Sequence, residues 1–292
     1  MQEELIKHIL NCLTDHYQDD VKLLSIHPVT GGDINEAYCL DTSSGKLMMK
    51  LNSRSKYAEM FEREAQGLAA IRSSRTIAVP EVIIYGHHHD DSYLIMQWIE
   101  SRRATREASK LLGIQLAAMH RNTASAFGFK HHNYMGSISQ SNRRHYKWSE
   151  FFVQERLMPM VKIARNKSLL EEKDIADIEQ LCQRLPQLFD EEAPALIHGD
   201  LWGGNYLISA DGKPYLIDPA VSYGHREFDI SMTTLFGGFE RAFYDAYQDA
   251  FPLAQDWEER TDLWNLYPLL LHLNLFGLSY LGQVRSSIKR YL

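Results

Sequence analysis

His198-Gly-Asp-Leu-Trp-Gly-Gly-Asn205, followed shortly by Pro214-Tyr-Leu-Ile-Asp218, decides how this chain of 292 residues is read. The first stretch leaves the apolar run Ala195-Leu-Ile, and the second closes a hairpin around the turn at Asp211-Gly212. Asp and Asn in a glycine-rich loop are ordinary turn composition. A His-Gly lead, an Asp and an Asn five residues apart, and a further Asp at the end of a strand form a more specific pattern. Three oxygen-bearing side chains, Asp200, Asn205 and Asp218, are placed where short strands give way to loop.

Working outward from that loop, the two sides differ. Upstream, Glu4 to Tyr17 carries Leu5, Ile6, Ile9, Leu10 and Leu13 on one helical face. Val21 to Lys50 then reads as an antiparallel meander of short alternating runs broken by Thr30-Gly-Gly-Asp and Asp41-Thr-Ser-Ser-Gly. A helix is predicted from about Lys56 to Ile71, then strands at Glu81–Tyr85 and Tyr93–Ile99, with Gly86-His-His-His-Asp-Asp as a polar turn between them. Beyond residue 100 the pattern is mostly helical: Arg106–His120, Trp148–Asn166, Glu171–Leu185 and nearly everything after Phe228. Residues 121–146 read as an ordered loop. The prediction is an α+β fold of two lobes, a small antiparallel-sheet lobe over residues 1–99 and a larger helical lobe over 100–292.

Composition narrows the function. Hydrophobic residues at 45% and charged residues at 24% describe an ordinary folded globule. With 31 basic and 38 acidic side chains, the formal charge of −7 leaves no cationic excess for a phosphate backbone, so nucleic acid is excluded as the main partner. Cys12, Cys39 and Cys182 are odd in number and far apart, which gives no disulfide framework and fits a reducing cytoplasm. The acidic start does not read as a signal peptide. Leu263 to Val284 lacks Asp, Glu, Lys and Arg, yet its Asn, Pro, His and Gln residues favour a buried helix pair over a membrane span. His87-His-His89 and His131-His132 show no metal-ligand spacing and read as surface histidines; Cys39 reads as a small buried strand residue.

The chemistry that suits these residues is phosphoryl transfer. The kinase catalytic loop is written H-R-D-L-x-x-x-N, and Asp200, Leu201 and Asn205 keep its spacing. Charge spreads over the transferring oxygens, so Mg²⁺ must be held against the phosphates of ATP by hard oxygen donors. Asn205 and Asp218 are the metal-ligand candidates, and Asp200 is the candidate acceptor for the proton of an attacking hydroxyl. Lys50 ends a strand where a kinase lysine contacts the phosphates, and Glu64 rather than Glu62 is its expected partner, because Phe61, Ala65 and Leu68 mark the buried face beside it. Gly31 and Gly32 are placed to cover the phosphates, and Gln97, Trp98 and Ile99 to meet the adenine edge, with Met96 packing at the back of the pocket.

The chain resembles the fructosamine kinases, within the protein-kinase-like and aminoglycoside-phosphotransferase superfamily. The resemblance rests on Gly31-Gly-Asp-Ile-Asn-Glu-Ala, on His198-Gly-Asp-Leu-Trp-Gly-Gly-Asn, and on Ile217-Asp-Pro-Ala-Val-Ser-Tyr-Gly-His-Arg-Glu227. It continues through Leu235-Phe-Gly-Gly-Phe and His272-Leu-Asn-Leu-Phe-Gly. It implies a protein-kinase-like fold and ATP-dependent phosphorylation of the 3-hydroxyl of a ketoamine sugar, a fructosamine or ribulosamine borne on an amine or a protein lysine, as a deglycating repair step. It also implies Asp200 as proton acceptor, Asn205 and Asp218 as metal ligands, and Lys50 with residues 97–99 as nucleotide contacts. Trp202 is read either as a sugar-stacking residue or as an anchor for its loop. His225, Arg226 and Glu227 are read as a structural cluster, and Asp229 as a support for the catalytic loop. Gly199 in place of Arg, and Asp218-Pro-Ala in place of D-F-G, argue against a phosphorylation-switched protein kinase. The competing readings are an aminoglycoside or choline kinase and a nucleotide-binding pseudokinase.

Overall fold

A computed structural model describes residues 3–29 and 34–292. Helix α1 (Glu3–Tyr17) leads into β1 (Leu23–Pro28), β2 (Glu36–Thr42) and β3 (Gly45–Ser53). Helix α2 (Met60–Ser74), β4 (Val82–His88) and β5 (Asp91–Gln97) complete a five-stranded antiparallel sheet in the order β1-β2-β3-β5-β4. Strand alternation sorts its side chains to two faces. Leu47, Met49 and Leu51 of β3, with Tyr93 and Ile95 of β5, pack on Leu5, Ile9 and Leu13 of α1. Met48, Leu94 and Met96 turn to the opposite face, against Phe61, Ala65 and Leu68 of α2. Lys50 shares the parity of Met48, so β3 delivers its ammonium to the α2 side.

The connection past Gln97 joins a second region. Strand β6 (Ser101–Arg102) pairs with β10 (Tyr206–Ser209), which pairs in turn with β11 (Pro214–Leu216). Helix α3 (Arg106–His120) begins at Thr105, whose hydroxyl accepts from the Ala108 N–H. A short hairpin of β7 (Asn133–Met135) and β8 (Ile138–Gln140) follows, where the sequence showed only an ordered loop. Helix α4 (Trp148–Phe151) runs through a π-helical stretch at Phe152–Leu157 into α5 (Met158–Asn166), and α6 (Glu172–Arg184) comes next. Strand β9 (Ala195–Ile197) pairs with β12 (Ser222–Gly224), framing the loop at Asp200. Helices α7 (Arg226–Leu235), α8 (Arg241–Ala250), α9 (Thr261–Phe276) and α10 (Leu281–Arg290) finish the chain.

Among the described residues, the buried hydrophobic side chains form three clusters. One lies between α1 and the sheet. A large one surrounds Trp148, Phe152, Phe228 and Trp264 among the later helices. The third joins α2 and β5 to α3, β9, β11 and α8. The charge-poor stretch 263–284 falls on α9, its turn and the start of α10, with Trp264, Leu266 and Leu270 fully buried, and no helix among the described residues is long and apolar enough to cross a membrane.

Several boundaries differ from expectation, with β5 spanning Asp91–Gln97 rather than Tyr93–Ile99 and α2 running on to Ser74, and two of the differences have clear local reasons. Helix α2 begins at Met60 rather than Lys56, because Glu59 sits in the left-handed region at φ 62° and breaks the preceding turn. Strand β4 runs on through His88, so the polar turn shrinks to the tip at His89-Asp90, pinned where the Asp90 carboxylate accepts from Ser53 and Ser55.

Candidate active site

The loop after β9 is built on a buried frame. Asp229, on α7 and wholly enclosed, accepts from the backbone N–H of His198 at 2.6 Å and of Gly199 at 2.8 Å. Its Oδ2 also lies 3.2 Å from His120 Nε2, and His120 Nδ1 meets the Tyr247 hydroxyl at 2.7 Å. The His198 ring joins the loop to the strand that ends at Asp218: Nε2 donates to the Ile217 carbonyl at 2.9 Å while Nδ1 accepts from the Asp200 N–H. Burial lowers the His198 pKa, against the pull of Asp229, which suits a neutral ring with one donor and one acceptor. Gly199 has φ +82°, and a Cβ on it would run into the Ala220 carbonyl. The Arg of the protein-kinase motif has no room here.

Asp200, Asn205 and Asp218 converge on one cleft of about 700 Å³. The Asn205 amide donates to the Asp200 carboxylate at 3.0 Å and to its carbonyl at 2.8 Å. Its NH₂ is thus spent on Asp200, and its amide oxygen is the remaining acceptor. Burial raises the Asp200 pKa to about 7, with the Asp218 charge adding to the shift and the Asn205 bond opposing it. Asp218 sits in the left-handed region at φ 55°, an uncommon place for a non-glycine residue. Lys50, buried in β3, pairs with Glu64 at 2.7 Å and also with Asp218. Burial alone lowers the pKa of this ammonium, but the two carboxylates outweigh it and raise it. Burial pushes the Glu64 carboxyl upward as well, helped by Asp218 and opposed by Lys50. Glu62 is elsewhere, accepting from Gln66.

Other sequence candidates divide. Trp202 lines the cleft, 39% exposed, with Phe236 edge-on at 6.2 Å. It is a wall of the site and not a core anchor. Gly203 meets Gly237 and Gly238 so closely that a Cβ on Gly203 or on Gly238 would clash, and Gly204 leaves room for the Trp202 ring. His225, Arg226 and Glu227 lie behind the site: Arg226 forks onto Glu192 and two backbone carbonyls, and Glu227 holds Arg260 and the Trp264 indole. Met96, Gln97, Trp98 and Ile99 do not figure among the described residues lining the cleft. Met96 is buried between the sheet and α2, and the Gln97 N–H is taken by Glu81 at 2.8 Å. The Trp98 indole donates to Glu100, whose carbonyl accepts from Ala210. Gly31 and Gly32 lie outside the described residues. Cys39 is a buried strand residue whose thiol pKa burial raises.

One part of the site was missed by reasoning from residue types. Phe236, His272, Phe276 and Tyr280 continue the aromatic wall from Trp202, with His272 centred 5.0 to 5.4 Å from the other three rings. The signal for it was present in Leu235-Phe-Gly-Gly-Phe and His272-Leu-Asn-Leu-Phe, which bear the family likeness but show no catalytic spacing.

A small antiparallel sheet over a helical body, with a buried Lys–Glu pair facing an Asp/Asn/Asp cluster, defines a phosphotransferase of the protein-kinase-like class. The fold is shared with the aminoglycoside phosphotransferase APH(4)-Ia, at a TM-score of 0.64 and 12% identity over 98% of this chain and 99% of that one. The family model described as fructosamine kinase matches residues 5–292, and the chain belongs to that family. A "Probable ketoamine kinase" of Synechocystis sp. is 38% identical over 90% of this chain and 89% of its own. The chloroplastic protein-ribulosamine 3-kinase of Arabidopsis thaliana is 38% identical over 93% and 83%. The crystal structure of a fructosamine-3-kinase candidate from Thermobifida fusca superposes with a TM-score of 0.87 at 32% identity, covering 97% and 98%. The protein is therefore a kinase with an alcohol group as acceptor.

Proposed function

We propose that the protein transfers the γ-phosphoryl group of ATP to the 3-hydroxyl of a ketoamine sugar, fructosamine or ribulosamine, carried on a small amine or a protein lysine. This is the phosphorylation that makes such adducts labile, a deglycation repair step in the cytoplasm. The observation that carries the reading is Asp200, its pKa raised by burial, beside Asn205 and Asp218 in a cleft walled by aromatic rings. Residues 1–99 serve as the nucleotide-binding lobe and residues 100–292 as the catalytic and substrate-binding lobe.

In this reading Lys50, oriented by Glu64, contacts the phosphates, Gly31 and Gly32 cover them, and the segment from Gln97 to Ile99, beyond the cleft lining described above, meets the adenine edge with Met96 packed behind it. The amide oxygen of Asn205 and the carboxylate of Asp218 are hard donors that fit Mg²⁺, which when bound offsets the negative charge of the phosphate oxygens. Asp200 takes the proton of the sugar hydroxyl as its oxygen forms a bond to the γ-phosphorus. The bond from that phosphorus to the bridging oxygen breaks, and ADP leaves with the electron pair. Trp202, with the aromatic wall beyond it, packs against the sugar and its carrier.

Full-length relatives named for ketoamines and ribulosamines favour this acceptor over an aminoglycoside, whose kinases share the fold at 12% identity. The test is ADP release with Mg²⁺-ATP on fructosyl-lysine, ribulosyl-lysine, choline and kanamycin. Turnover on a ketoamine, abolished in Asp200→Asn, is expected. Turnover on choline or kanamycin alone would sink the acceptor assignment, and binding of ATP without turnover on any acceptor would favour a pseudokinase.

A further inference from the structure

The histidine run at the β4–β5 turn meets a partner that lies 84 residues away in sequence. Glu4, in the first turn of α1, comes beside His88 and His89 so that one carboxylate oxygen and one ring nitrogen from each histidine all lie within 4.8 Å of one another. The hairpin tip that carries the histidines is held by Asp90, whose carboxylate accepts from Ser53 and Ser55, so the two rings sit on an ordered turn. His8, one turn along α1, stacks on His88 with ring centres 4.7 Å apart, and its own Nε2 is directed to Tyr93 and Cys12.

An acidic residue in the first turn of a helix is favoured by the helix dipole, and stacked imidazoles bury ring surface. Those two effects account for Glu4 and His8. They do not account for His88 Nε2, a buried ring nitrogen without a hydrogen-bond partner. Leaving such an atom unpaired costs roughly 1–3 kcal/mol, and a cation is a partner that removes the cost. Glu4 and His89 are exposed, and bonds of about 2.0–2.2 Å to a single ion would require the three ligand atoms, now within 4.8 Å of one another, to draw closer together.

We propose that Glu4, His88 and His89 form a binding site for a divalent transition ion of the zinc type, remote from the catalytic cleft, with solvent completing the coordination. Two imidazoles and one carboxylate are a donor set that suits zinc and excludes Mg²⁺, which prefers oxygen ligands and keeps its waters. His8 stacked on His88 fixes the orientation of that ring. The ion ties the start of α1 to the β4–β5 hairpin, two segments otherwise joined by side-chain packing and the His8–Tyr93 hydrogen bond, and so braces the helix that covers the outer face of the sheet.

The test is calorimetric titration of the tag-free full-length chain with zinc chloride, without Mg²⁺ or nucleotide, alongside the Glu4→Gln, His89→Gln and Asp218→Asn variants. One equivalent bound at micromolar concentration is expected, weakened at least about tenfold in Glu4→Gln and His89→Gln and unchanged in Asp218→Asn. Zinc should also raise the melting temperature of the wild type and Asp218→Asn more than that of Glu4→Gln or His89→Gln. Kinase turnover with Mg²⁺-ATP should be the same in Glu4→Gln, His89→Gln and the wild type. Absence of binding at 100-fold excess zinc overturns the proposal. So does binding that survives both Glu4→Gln and His89→Gln, or binding abolished only by Asp218→Asn, which would place the ion in the cleft.

Discussion

Asp200, the proton acceptor of the proposed reaction, is a carboxylate whose surroundings move its titration toward neutral pH. Burial is the largest cause of its raised pKa and the Asp218 charge is the second. The free enzyme is what kcat/KM reports, so the acid limb of kcat/KM should lie well above the free carboxylate value of about 3.9. The sign follows from the role: only the ionised form accepts a proton, so the rate falls as pH drops through that pKa. A pH–rate profile with its acid limb below pH 4 would remove Asp200 as the titrating base. Asp200→Asn should lower kcat by about 10²- to 10⁴-fold while ATP binding, measured by calorimetry, stays close to wild type. Gly199 beside it is held by backbone geometry. Gly199→Ala places a Cβ against the Ala220 carbonyl at φ +82° and should cost at least about 1–3 kcal/mol in chemical denaturation.

At the scale of elements, α6 shows how caps and ion pairs fasten the helical side. Glu171 and Asp174 form a capping box, and the Asp174 carboxylate also receives Arg285 of α10 at 2.7 and 2.9 Å. The Arg285 bonds hold the Asp174 pKa below the usual range, against its burial. A depressed carboxylate pKa contributes stability that is complete above the unfolded value, about 3.9, and is lost as pH falls through the folded value. Asp174→Ala should therefore cost about 1–3 kcal/mol at pH 7 by urea denaturation, and the gap to wild type should narrow as pH falls below about 4. The same scale explains what could be read from residues alone. Lys50 and Glu64 were legible because a strand after a Gly-containing turn places the lysine, and the apolar period of Phe61, Ala65 and Leu68 marks the helix face beside Glu64. The β7–β8 hairpin was not, since three-residue strands in a run of Gly, Ser, Asn and His carry no alternation. Gly199 showed as a departure from H-R-D, but its cause is a tertiary contact with Ala220. Glu4 and His88 could not be joined by any local pattern, because only the docking of α1 on the sheet brings them together.

Across the whole molecule, the cleft opens between two regions that share a core. Phe61, Leu68, Leu94 and Met96 on the sheet side pack in one cluster with Leu116, Leu196, Leu216 and Phe243 on the helical side. Backbone pairing reinforces the junction, since the Leu216 N–H, two residues before Asp218, donates to the Ala78 carbonyl at 2.9 Å. A shared core makes the two sides unfold together, so calorimetry should show one transition, and two separate transitions in the wild type would contradict the coupling. Leu216→Ala opens a cavity in that cluster and should cost about 2–5 kcal/mol, moving the single transition down without splitting it. Ligand linkage tests the same coupling from the cleft. Mg²⁺-ATP at about 100 times its Kd should add about 2.7 kcal/mol to unfolding, and it should shift the whole transition because Lys50 and Asp218 stand on opposite sides of the cleft and are tied through this core. If nucleotide protected only part of the unfolding signal, the sheet and the helical body would have to be treated as independent units, and the ion pair across the cleft as a contact without cooperative consequence.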